Sequence, residues 1–291
     1  MVLSSFQIIL IVFEILAVAY GSILLARYLN IPGFKPMGSV SGRLAYWPME
    51  GFEVALLIVL IFMLAIVSQG ILGYLFGGTV KIAKDRNGLE LVLNGFATHG
   101  GGLLAWPLFF LLRRQLFAAY HTSPPAPAGP APAPLRARWP QALRGGFVTL
   151  LIALPVVALV SVCWSGLLSL LGLPGEAQDM IGTFRDAQSP FVLAGMFLVA
   201  CVLAPMNEEM LFRRGLYHFL RQRFGRIIAL SVSASLFGLL HMNLAGFMPL
   251  ATLGVMLALA YERTGDIRVP IIAHGLFNLN TIAALLAGLS G

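Results

Sequence analysis

The chain has 291 residues, of which 58% are hydrophobic and 11% charged, and its formal net charge is +7. Such a balance excludes an ordinary soluble domain. Nor is the positive charge a sign of a nucleic-acid partner. The basic residues fall in connections between apolar runs, where they set topology and meet the headgroups of the lipid bilayer. Helices satisfy their own backbone hydrogen bonds in lipid, so the chain reads as an all-α, polytopic transmembrane helical bundle.

A span needs roughly 20 apolar residues. In chain order the candidates run over about 6–26, 52–76, 89–112, 146–171, 189–211, 227–244, 247–261 and 269–289, which gives about eight spans. The first follows Met1, Val2 and Leu3 with no charged n-region, so it reads as an uncleaved span. The third is the weakest: it holds Glu90, Asn94, Thr98 and His99, and Gly100, Gly101 and Gly102 lower its helix propensity. Cys163 and Cys201 both lie inside apolar runs, which argues against a disulfide framework.

Lysine and arginine divide unevenly between the two sets of connections. One set holds Arg27, Lys35, Arg43, Arg113, Arg114, Arg136, Arg138, Arg144, Arg214, Arg221, Arg223, Arg226, Arg263 and Arg268; the other holds Lys81, Lys84, Arg86 and Arg185. The richer set is expected to face the cytoplasm, leaving both termini outside. The expected location is a bacterial inner or plasma membrane. Residues 123–134 form a Pro/Ala tract, extended and semi-rigid because proline fixes φ and removes donors. The expected organisation is a three-span region over 1–120, a cytoplasmic linker over 121–143 and a five-span membrane domain over 144–291.

Three polar constellations fall after that linker: Glu208-Glu209-x-x-x-Arg213, Phe237-x-x-x-His241 and His274-x-x-x-Asn278. A charge at the centre of a membrane helix costs about 2.5–3.5 kcal/mol on insertion scales, so these groups must be paired, face water or do chemistry. Successive helical residues stand roughly 100° apart, so Glu208 and Glu209 cannot point the same way. Glu209 and Arg213, at i and i+4, can pair and leave Glu208 free for general acid–base work. His241 can share a water with Glu208. His274 and Asn278 can present neighbouring donors to a developing oxyanion. Taken singly each group has a structural reading: an ion-pair lock for Glu209–Arg213, an interhelical donor for His241 or His274, packing for Phe237. His99 and His218 receive no role. Convergence of all three constellations favours an active site inside the bilayer.

The run from Ala204 to Gly215 resembles the first motif of the CPBP family, the CAAX prenyl endopeptidases and bacteriocin-processing proteins, Glu-Glu-x-x-x-Arg often followed by Gly. Phe237 to His241 and His274 to Asn278 are similar to that family's second and third motifs, and the resemblance extends over about 146–289. It implies an intramembrane endopeptidase in which Glu208 and His241 activate a water, His274 and Asn278 stabilise the oxyanion, and Glu209 and Arg213 support them. Arg214, between the motif arginine and Gly215, departs from the pattern and is expected near the interface. No cofactor is favoured: there is no His-Glu-x-x-His. Zinc on Glu208, His241 and His274 is the alternative. The implied partner is a peptide or protein substrate at the membrane, and the sequence sets no oligomeric state. A non-catalytic relative acting as an immunity or scaffold protein is the rival reading. One difficulty stands: His241 lies roughly 22 Å along its helix from Arg226 at 1.5 Å per residue, whereas His274 lies near the start of the last span.

Overall fold

A computed structural model describes residues 3–31, 44, 47, 49–116, 135–173, 180–187 and 189–288. The Pro/Ala tract, Lys35 and Arg43 lie outside the described residues. Nine helices make up the described part: α1 (Ser5–Tyr28), α2 (Gly51–Ile82), α3 (Arg86–Gln115), α4 (Leu135–Leu170), α5 (Met180–Asp186), α6 (Pro190–Phe224), α7 (Arg226–Leu239), α8 (Leu244–Thr264) and α9 (Arg268–Leu286). Seven of them are long and apolar enough to cross a membrane, and the protein is an integral, multi-pass membrane protein. α7 is apolar but only 14 residues long, about 21 Å. It is the short member of the eight expected spans.

Local chemistry fixes several ends. Ser4 caps α1 in a box with Gln7, and Ser189 caps α6 ahead of Pro190, whose fixed φ suits a first helical position. Gly265, at φ +66°, closes α8 in the left-handed conformation that glycine adopts without steric cost. Between α7 and α8 the chain turns through Met242 at φ +49°, costly for a bulky residue, and Asn243 then caps α8.

α4 is the central post, packed against α1, α8 and α9; α7 and α8 form an antiparallel pair. At one end Glu262 takes Arg221 at 2.9 Å, Arg226 at 2.8 Å and the Tyr217 hydroxyl at 3.1 Å. That carboxylate ties the end of α6, the start of α7 and the end of α8 together. α2 and α3 pair with each other and lie on α6. Trp47, Leu57, Ile61, Trp106 and Phe109 form one buried cluster with Leu211, Phe212 and Phe237. The N-terminal spans are thus built into the same bundle as α6–α9. α4 begins at Leu135, so residues 135–143 of the expected linker are helical.

Candidate active site

Glu208 and Glu209 sit in α6 just before a π-helical stretch, Met210–Tyr217. Wider π turns are frequent at functional sites, and this one carries Arg213 and Arg214. Arg213 and Glu209 are fully buried. Arg213 Nη1 lies 2.9 Å from Glu209 Oε1, Nη2 donates to the Gly254 carbonyl at 3.2 Å, and the guanidinium stands 4.4 Å over the Phe237 ring. The pair expected from the i, i+4 spacing is therefore present, and it fixes α6 to α7 and α8.

His274 meets both carboxylates. Its Nδ1 is 2.9 Å from Glu209 Oε1, so an ionised Glu209 requires the proton on Nδ1. Its Nε2 then faces Glu208, 3.8 Å from Oε2, beyond hydrogen-bond length. The Glu208 side chain is 20% exposed, yet its Oε2 is buried and has no hydrogen-bond partner among the described residues. One carboxylate is locked and its neighbour is available.

His241 occupies the turn after α7. Its Nδ1 lies 2.8 Å from the Phe237 carbonyl, which can only accept, so Nδ1 carries the proton and Nε2 the lone pair of the neutral ring. Phe237 is the hub: its ring centroid lies 5.0 Å from His241, 5.6 Å from His274 and 5.3 Å from Phe212. Those contacts bring His241 and His274 to one ring. The rings of Phe237 and His274 meet, 5.6 Å between centroids, although they stand far from and close to their helix starts respectively. Asn278 donates Nδ2 to the Ala200 carbonyl at 2.7 Å, in a second π turn of α6, Val199–Leu203. His274 and Asn278 are each engaged by α6, the first through carboxylates and the second through backbone.

Arg214 sits 4.4 Å over the Trp47 ring with Nη1 3.5 Å from the Tyr261 hydroxyl, held between side chains and half-buried. His218 is buried beside Tyr261 and Trp47, away from the carboxylates. His99 was given no role by its sequence position, yet it lies within electrostatic range of Glu208, His241 and His274, and its Nδ1 is 3.5 Å from Asn207 Nδ2. A polar residue inside an apolar run was the available signal, obscured by the three glycines that follow. As for zinc, no three His, Cys, Asp or Glu side chains among the described residues gather closely enough to hold a metal ion. Glu208 and His274 approach each other, and the contact of His241 Nδ1 with the Phe237 carbonyl leaves Nε2 as the acceptor atom of that ring.

Residues 190–280 match the family described as Type II CAAX prenyl endopeptidase Rce1-like. Over 83 residues, 28% of the chain, the sequence is 31% identical to the Bacillus subtilis (strain 168) protein named "Putative membrane peptidase YdiL", of which the match covers 34%. The chain thus matches about a third of the length of that curated relative. No solved structure matches it. The family match takes in α6, α7, α8 and most of α9, with all three motifs, and starts later than the expected 146. The part of the chain that builds the carboxylate–histidine cluster is thus the part that is similar to the Type II CAAX prenyl endopeptidase Rce1-like family and to the Bacillus subtilis protein.

Proposed function

We propose that the protein is an intramembrane endopeptidase that hydrolyses a peptide bond of a membrane-delivered peptide or protein with a water activated by Glu208 and His241. The observation that carries this reading is the contrast between neighbouring carboxylates. Each keeps an Oε2 with no hydrogen-bond partner among the described residues, but Glu209 is fully buried and held through Oε1 by Arg213 and His274, whereas the Glu208 side chain is 20% exposed. A carboxylate so placed takes a proton from water as the water oxygen bonds to the scissile carbonyl carbon. The carbonyl becomes an oxyanion. When the C–N bond breaks, the proton held by Glu208 passes to the leaving nitrogen, giving an acid and an amine.

His241 presents Nε2 as an acceptor that orients the water. His274, aimed by the contact of its Nδ1 with Glu209, turns Nε2 toward the developing charge. The second Nδ2 hydrogen of Asn278 is the companion donor. The proposed setting is a bacterial inner or plasma membrane with the basic connections cytoplasmic and the termini outside, which the arginine distribution supports.

The test is cleavage of a quenched-peptide library by purified protein in detergent, comparing wild type, Glu208→Ala and His241→Ala with and without a strong zinc chelator. Cleavage lost in both variants and unchanged by chelator is the expected result. Loss on chelation with recovery on adding zinc would replace the glutamate mechanism with a metal site. Equal cleavage by all three proteins would reject the site.

A further inference from the structure

The site has a wall that the three motifs do not supply. α3 meets α6 at Gly102, where an added Cβ would stand 2.4 Å from Asn207 Oδ1 and 2.8 Å from Nδ2. Only a residue without a side chain lets the helices approach so closely. One turn earlier, α3 widens into a π turn over Phe96–Gly100, and that turn carries His99. The close approach and the wide turn together set His99 against the Asn207 amide, its Nδ1 3.5 Å from Nδ2.

Asn207 immediately precedes Glu208. It is 6% exposed, and its Oδ1 is buried with no hydrogen-bond partner among the described residues. A buried amide with an unmatched polar atom is costly where it serves only packing. With Nδ2–H directed at His99 Nδ1, the neutral imidazole carries its proton on Nε2, on the far side of the ring from Asn207. His99 is half-buried, and the titratable groups near enough to act on it electrostatically are Glu208 on α6, His274 on α9 and His241 in the turn after α7.

We infer that His99, held by Asn207, is a substrate-positioning donor contributed by the N-terminal spans, its Nε2–H binding a backbone carbonyl of the peptide beside the scissile bond. The ligand class is an extended peptide backbone, recognised without regard to its side chains. The inference rests on the peptidase reading above and deepens it.

The experiment measures kcat and KM for one cleaved peptide with wild type, His99→Ala, His99→Gln, Asn207→Ala and the double alanine variant, alongside thermal melting of each. Glu208→Gln is the inactive control. His99→Ala is expected to lower kcat/KM about tenfold, the size of one neutral hydrogen bond, chiefly through KM. His99→Gln, which keeps an N–H donor, is expected to recover most of the loss. Asn207→Ala should add little to His99→Ala, because both act through one donor. Unchanged kcat/KM in His99→Ala overturns the inference while leaving the peptidase reading intact. A loss that tracks a lowered melting temperature and is not recovered by glutamine also overturns it, assigning His99 to packing. A wild type that cleaves no peptide overturns the peptidase reading, and this inference with it.

Discussion

His274 Nδ1 lies 2.9 Å from Glu209 Oε1, so the histidine of the last helix is aimed by the second glutamate of the first motif. Arg213 Nη1 is 2.9 Å from the same oxygen. Glu209 therefore works by position, holding a cation one turn along its own helix and an imidazole from α9, while Glu208 faces the Nε2 that this arrangement presents.

Removing a partner from that buried set should cost stability, and removing Glu208 should not. Glu209→Ala and Arg213→Ala each leave an uncompensated buried charge, expected to destabilise by about 3–5 kcal/mol. Glu208→Gln keeps shape on a partly exposed side chain and is expected to melt with wild type. Thermal melting in detergent, read beside peptide cleavage, checks this. A Glu208→Gln variant as unstable as Glu209→Ala would contradict the division of labour.

Phe237 touches both histidines and Arg213, so truncation should cost more than packing. Phe237→Ala is expected to lose about 3–5 kcal/mol and nearly all cleavage. Phe237→Leu should retain fold yet lose cleavage, since no ring remains against His241, His274 and the guanidinium. Full activity in the leucine variant would mean the ring only fills space.

Gly275 follows His274 where α9 presses on α6: an added Cβ would stand 2.4 Å from the Cys201 carbonyl. Gly275→Ala is expected to push the helices apart, costing about 1–3 kcal/mol and weakening the contact of His274 with Glu209. Gly166→Ala, which meets nothing within 4 Å, is the matched control. Comparable melting and cleavage in the two variants would refute this close approach.

Orientation can be read by labelling. In a background with Cys163 and Cys201 replaced by serine, a membrane-impermeant maleimide added to intact cells should label Lys84→Cys and spare Gln115→Cys. The opposite pattern would invert the proposed topology.

Removal of residues 1–120 should abolish folding and cleavage, because the cluster around Trp106 and Phe109 is shared with Leu211, Phe212 and Phe237. A truncated protein that still cleaves would show that α6–α9 stand alone.

Composition and apolar run length by themselves determined that the chain is a helical membrane bundle, since backbone groups in lipid have few other ways to be satisfied. The i, i+4 spacings likewise determined that Glu209 pairs with Arg213 and that His274 and Asn278 share a helix face, because helical geometry is local. Only the tertiary structure decided that Glu209, and not Glu208, orients His274, and that Asn278 spends a donor on the Ala200 carbonyl. It alone made Phe237 the hub of the site, let α7 stop short so that His241 meets it, and brought His99 from α3 to the cluster. These relations depend on helix crossings, π turns and glycine contacts between segments far apart in sequence. No period within one helix encodes how closely another helix approaches it.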